Sequence, residues 1–154
     1  MNVACISTLD KFSRFYLDIE NHLKTLSNNS VKLKVFSIHS SGFLYTLMRF
    51  KFSLWLPVKA WYLAKKNSRF YKKIIITQTT YKGITYNNYL DFHQKLSNKI
   101  PIQQLQLQAL AYIDIFTNQF EKFKPDYLIT IGDTRLSIEI AIAIAKKKNI
   151  KVFY

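Results

Sequence analysis

Hydrophobic positions follow different periods in different parts of the chain. Residues 3–7, 74–77, 127–131 and 150–154 are short, β-branched or apolar runs that predict strands: 3–7 buried, 127–131 buried on both faces and 74–77 central in the sheet. Residues 31–38 alternate Val31, Leu33 and Val35 with Lys32 and Lys34, as a more peripheral strand would. Helical spacing takes over elsewhere. Phe12, Phe15, Ile19, Leu23 and Leu26 recur every three or four residues over 11–26. From Pro101 the same spacing links Ile102, Leu105, Ala109, Tyr112, Ile113, Phe116, Phe120 and Phe123, a core-facing stripe that leads into the strand at Tyr127.

Residues 136–148 carry a conflict, because Ile138, Ile140, Ile142 and Ile144 alternate with Glu139, Ala141, Ala143 and Ala145. The run is too long for an ordinary strand, its alternate members are mostly alanine, and Asp133 or Thr134 can cap a first turn. It therefore predicts a helix, and one apolar nearly all round must be buried between the sheet and a second layer. Residues 43–66 mix aromatics with cations and predict two short helices divided at Pro57. Residues 78–88 are polar and predict a mobile loop or lid, whose Tyr81, Lys82, Tyr86 and nearby Tyr89 either pack or meet a sugar or phosphate.

These units predict one α/β domain over residues 1–154, with a mostly parallel, Rossmann-like sheet flanked by helices. In such sheets ligands sit beyond the carboxyl ends of the strands. That singles out the turn Gly132-Asp133-Thr134-Arg135, with a flexible backbone, a carboxylate at a helix start and a guanidinium fork for carboxylate or phosphate. The bland alternative is an N-capping Asp133 and a surface Arg135. His39 follows the strand at 31–38 and is a candidate by position; a solvated loop histidine is the alternative.

Composition changes the picture in one respect. With 23 Lys and Arg against nine acids, a formal charge of +14 favours anionic partners: nucleic acid, anionic lipid, or an acidic or phosphorylated substrate. The excess of Lys, Asn and Ile also fits an AT-rich genome. No apolar run reaches the ~18 residues of a membrane span. Basic residues beside aromatics in 43–66 instead suit an anionic lipid surface, with Arg49, Lys51, Trp55, Lys59 and Trp61 as the candidate membrane-facing set. Membership of the core, or of an interface with another lobe, is the alternative. One cysteine, Cys5, excludes an internal disulfide and a cysteine metal cluster. The first residues lack signal-peptide character, so a cytoplasmic location is expected, peripheral at the inner face of the membrane. No glycine-rich phosphate fingerprint, nucleophile elbow, metal-ligand spacing or cofactor motif is present in the sequence, and no groove-reading motif favours nucleic acid.

Residues 124–135 (KPDYLITIGDTR), followed by the Ile/Ala-rich helix and KKNIKVFY, resemble the capsule polysaccharide biosynthesis family over about the last thirty residues. The shared pattern is a Pro-Asp, an apolar strand, GD-x-R, a helix and AK-x-x-x-I-x-V. The resemblance implies one lobe of a two-lobed, GT-B-type glycosyltransferase of the kind that builds the Kdo linker between a lipid and a capsule chain. It implies Asp133 as a catalytic carboxylate, with Gly132, Thr134 and Arg135 around the substrate; His39 joins the substrate-binding candidates by its position alone. The acceptor would be a lipid-linked or anionic saccharide. Family members continue into a Glu-Gly segment and a donor-binding lobe where this sequence stops. An acceptor-side lobe, inactive without a partner lobe or second copy, is therefore the expectation. A non-enzymatic basic binding module is the alternative.

Overall fold

The computed structural model describes residues 1–26, 28, 30–51, 53–96, 100–132 and 134–154, with the side chain of Leu96 set aside. Five parallel strands form one sheet in the order β3-β2-β1-β4-β5: β1 (Asn2–Ser7), β2 (Lys32–Ser37), β3 (Ser53–Trp55), β4 (Tyr127–Thr130) and β5 (Lys151–Phe153). The chain winds outward from β1 through β2 to β3, then returns past β1 to build β4 and β5. The order therefore reverses between β1 and β4, which makes a Rossmann-like, doubly wound sheet with a switch point there.

Alternation along each strand divides the core in two. Val3, Cys5 and Val35 point to the face covered by α1 (Asp10–Leu26) and α2 (Ser40–Met48). Ala4, Ile6, Phe36 and Leu128 point to the other face. That face packs against α3 (Leu56–Lys66), α4 (Ser68–Thr77), α5 (Leu90–Leu96), α6 (Ile102–Phe123) and α7 (Leu136–Lys147). The long stripe starting at Pro101 becomes α6, which buries Leu105, Ala109, Leu110, Ile113, Phe116 and Phe120. It stops where Lys124 turns left-handed ahead of Pro125, two residues before β4. The isoleucine-alanine run is helical as expected, and α7 is buried around most of its circumference.

The structure corrects the sequence-based reading in four places. Residues 74–77 are the last turn of α4, where Tyr71 and Ile74 face the core and Ile76 is exposed. Residues 43–66 form helix, edge strand and helix, and Pro57 sits in the first turn of α3, where its missing N–H breaks no helical hydrogen bond. The buried face of α1 is Ser13, Tyr16, Leu17 and Glu20, while Phe15 and Leu26 are exposed. Polar residues can occupy that face because each finds a partner. The Ser13 and Ser7 hydroxyls meet at 2.7 Å, and Glu20 pairs with Lys24 at 2.6 Å and Lys51 at 3.0 Å. Finally, residues 78–88 do not form an open lid. Tyr81 and Ile84 bridge to each other, Tyr86 is buried, and its hydroxyl donates to the Gln78 carbonyl at 2.7 Å.

Gly42 explains how tightly α2 approaches α1. A Cβ there would lie 2.7 Å from Ser13 Oγ, closer than real side chains come.

Candidate functional site

A cavity of about 430 Å³ opens beyond the carboxyl ends of the strands, on the α6 and α7 side of the sheet. Its wall takes Ile38 from just past β2, and Thr134 to Ser137 from the start of α7. Phe92 and His93 of α5, Ile100, and Leu105, Gln108 and Tyr112 of α6 complete it. Its volume lies in the range of small-molecule pockets.

The turn after β4 delivers these groups for backbone reasons. Gly132 has φ +77°, a conformation side chains resist, and nothing lies within 4 Å of where its Cβ would be. The requirement there is conformational and is not one of close packing. Arg135 and not Thr134 is the N-cap of α7 by backbone geometry, and it makes no side-chain cap. The first helical hydrogen bonds run from the Ile138 and Glu139 amides to the Arg135 carbonyl. The amides of Leu136 and Ser137 precede them, so the positive end of the helix dipole meets the cavity wall. Ser137 is 4% exposed and lines the cavity, and its hydroxyl has no hydrogen-bond partner among the described residues.

His93 lines the same cavity. Its Nε2 lies 3.3 Å from Glu139 Oε2, and both side chains are largely covered. The Phe92 ring stands edge-on to the imidazole at 5.6 Å. Burial, and then the negative charge of Glu139, raise the Tyr89 phenol above its ordinary range. Burial pushes the Tyr112 phenol up to about 12.

Of the residues singled out by sequence, Thr134 and Arg135 line the cavity and Gly132 turns the chain into it. Asp133 lies outside the described residues. His39 heads α2, is exposed, and is not among the lining residues. Ile38 turns into the cavity while the next residue starts a helix on the other face of the sheet. Sequence reasoning passed over His93, Gln108 and Ser137. The His93 and Glu139 pairing spans 46 residues, and no local spacing announces it. Among the described residues no group of three His, Cys, Asp or Glu side chains is placed to hold a metal ion.

The membrane-facing candidates separate. Trp55 is half-buried and stacks on Phe43 at 5.8 Å, Lys51 is held by Glu20, and Arg49 lies over the Tyr45 ring. Lys59 and Trp61 are exposed on α3, where Lys59 lies over Tyr62 and Lys65 over Trp61. The surface continues onto α4 with exposed Arg69, Phe70, Lys72 and Lys73. Between Glu20 and Asp91 the sequence has twelve lysines and arginines and no carboxylate. No helix among the described residues is long and apolar enough to cross a membrane.

Compared with protein-family models, curated proteins and solved structures, the chain matches none of them.

Proposed function

We propose that this chain is the acceptor-side lobe of a glycosyltransferase for capsule or other surface polysaccharide, working with a partner lobe or second copy. The observation that carries this reading is the cavity at the carboxyl ends of a doubly wound sheet, with Arg135 and the start of α7 in its wall. Arg135 offers a bidentate fork to the carboxylate or phosphate of an anionic saccharide, and the α7 amides add donors for the same charge. The GD-x-R resemblance supplies the chemistry. On that reading Asp133, in the same turn, is the catalytic carboxylate. Titrating the protein with Kdo, an acidic sugar, should shift the amide resonances of Thr134, Arg135 and Ser137. Arg135→Gln should weaken Kdo at least roughly tenfold, the scale of one lost charge-assisted hydrogen bond. Kdo that leaves those resonances in place would remove the acceptor-lobe reading.

The same proposal puts the lobe peripherally on an anionic membrane, and the exposed basic and aromatic surface of α3 and α4 supports it. Cations hold lipid headgroups while Trp61, Tyr62 and Phe70 reach the interface. Binding to phosphatidylglycerol-containing vesicles, with little to phosphatidylcholine alone, is the expected outcome of sedimentation. Reversing Lys59, Lys65 and Lys66 to Glu should weaken it at least about tenfold, given ~1 kcal/mol per basic residue near such a surface. Salt-sensitive DNA retention without vesicle binding would favour a non-enzymatic basic module instead.

A further inference from the structure

We propose that His93, held by Glu139, is the proton acceptor of this cavity, acting on a hydroxyl of an acceptor whose anionic group Arg135 holds. The inference rests on the acceptor-lobe reading and adds to it the group that activates the attacking oxygen. Two observations converge on His93. It lines the same cavity as Arg135 and Ser137. Its Nε2 faces the Glu139 carboxylate at 3.3 Å, which makes Nε2 the N–H that donates and leaves Nδ1 with a lone pair. A carboxylate behind the ring fixes the orientation of the imidazole, the arrangement general bases use.

The step balances with a sugar-nucleotide donor. Nδ1 takes the acceptor hydroxyl proton as the oxygen lone pair bonds to the anomeric carbon of the donor sugar. The bond from that carbon to the nucleotide phosphate oxygen breaks, and its electron pair leaves with the phosphate. Ser137 and Gln108 line the same space, and a hydroxyl and an amide are the groups to hold the remaining polar atoms of the acceptor.

Two measurements on the full chain test this. In histidine-labelled protein at pH 8, the nitrogen resonances should show His93 protonated at Nε2 and bare at Nδ1. Glu139→Leu should lose that preference. Glycerol 3-phosphate and methyl phosphate then form a matched pair, alike in charge and differing in a free hydroxyl. His93→Leu should weaken glycerol 3-phosphate about fivefold, the scale of one hydrogen bond, and leave methyl phosphate unchanged. Arg135→Gln should weaken both. A proton on Nδ1 in the unsubstituted protein, or equal weakening of both ligands by His93→Leu, overturns the role of His93 while the anion site stands. Failure of both phosphates to bind the unsubstituted protein overturns this proposal, and the Kdo titration decides separately whether the acceptor-lobe reading falls with it.

Discussion

Replacing Phe116 by alanine is expected to remove about 3–5 kcal/mol of stability, the cost of deleting a large aromatic from a packed interior. Phe116 is fully buried on α6. Its ring lies 5.5 Å from that of Phe36 on β2 and 5.6 Å from that of Phe120 one turn along the helix. The trio is where the longest helix meets the sheet, so truncation forfeits both transfer free energy and the contacts of the surrounding rings. A domain of this size has about 5–15 kcal/mol in total, and the loss is therefore a large part of it. Urea denaturation should show a lower midpoint with an unchanged slope. Phe15→Ala is the control: that ring is 53% exposed and its removal should cost far less. Equal losses at the two positions would mean that the inward faces of α1 and α6 have been misassigned.

Asp114→Ala should produce the second large effect, about 2–4 kcal/mol, by stripping the acceptor from a network between α6 and α4. The Tyr71 hydroxyl donates to Asp114 Oδ2 at 2.5 Å, the Tyr81 hydroxyl donates to Oδ1 at 2.9 Å, and the Lys82 ammonium lies 2.6 Å from Oδ1. Tyr71 is fully buried, and its O–H would lose its acceptor while its oxygen keeps only the Asn67 amide, which donates to it at 3.3 Å; Lys82 is partly exposed and its share is screened. A cycle with Tyr71→Phe isolates the shared term, because the double variant should lose less than the two single losses together. Burial first, and then the bond to Asp114, raise both phenols above their ordinary range. The folded state thus keeps protons that the unfolded chain releases above about pH 10, and stability falls as pH rises past that point. Additive losses in the cycle would dissolve the network into independent contacts.

The legible parts of the fold were those whose local pattern and tertiary fate agree. β1 and β4 are buried on both faces, so their apolar runs were unambiguous, and α6 and α7 advertised themselves by length. Residues 74–77 failed because three consecutive isoleucines carry strand propensity, whereas packing of Tyr71 and Ile74 against the core holds the segment in α4. β3 was missed because three residues pairing on one side leave almost no periodicity to read. On α1 the apolar spacing traced a real stripe at the wrong angle, since Ser13 and Glu20 are buried by virtue of hydrogen-bonding and ionic partners elsewhere in the chain.

The candidate site divides the same way. Arg135 was found because one strand, one turn and one helix place it, all within a dozen residues. His93 and Gln108 enter the cavity from separate helices, so only the assembled tertiary structure brings them to Arg135. His39 stood at the right end of the right strand, yet a single residue step carried it to the opposite layer.

The strand order has a further consequence, for synthesis on the ribosome. β1 is flanked by β2, which soon follows it, and by β4, which begins at Tyr127. Parallel pairing of that kind closes a long loop before any contact rewards it, which slows folding. Until residues near 130 emerge, one edge of the first strand stays bare and its apolar side chains lack a lateral neighbour. The nascent polypeptide thus stays a half-built sheet from the emergence of β1 to that of β4, the stage at which it is most exposed to aggregation and to chaperones.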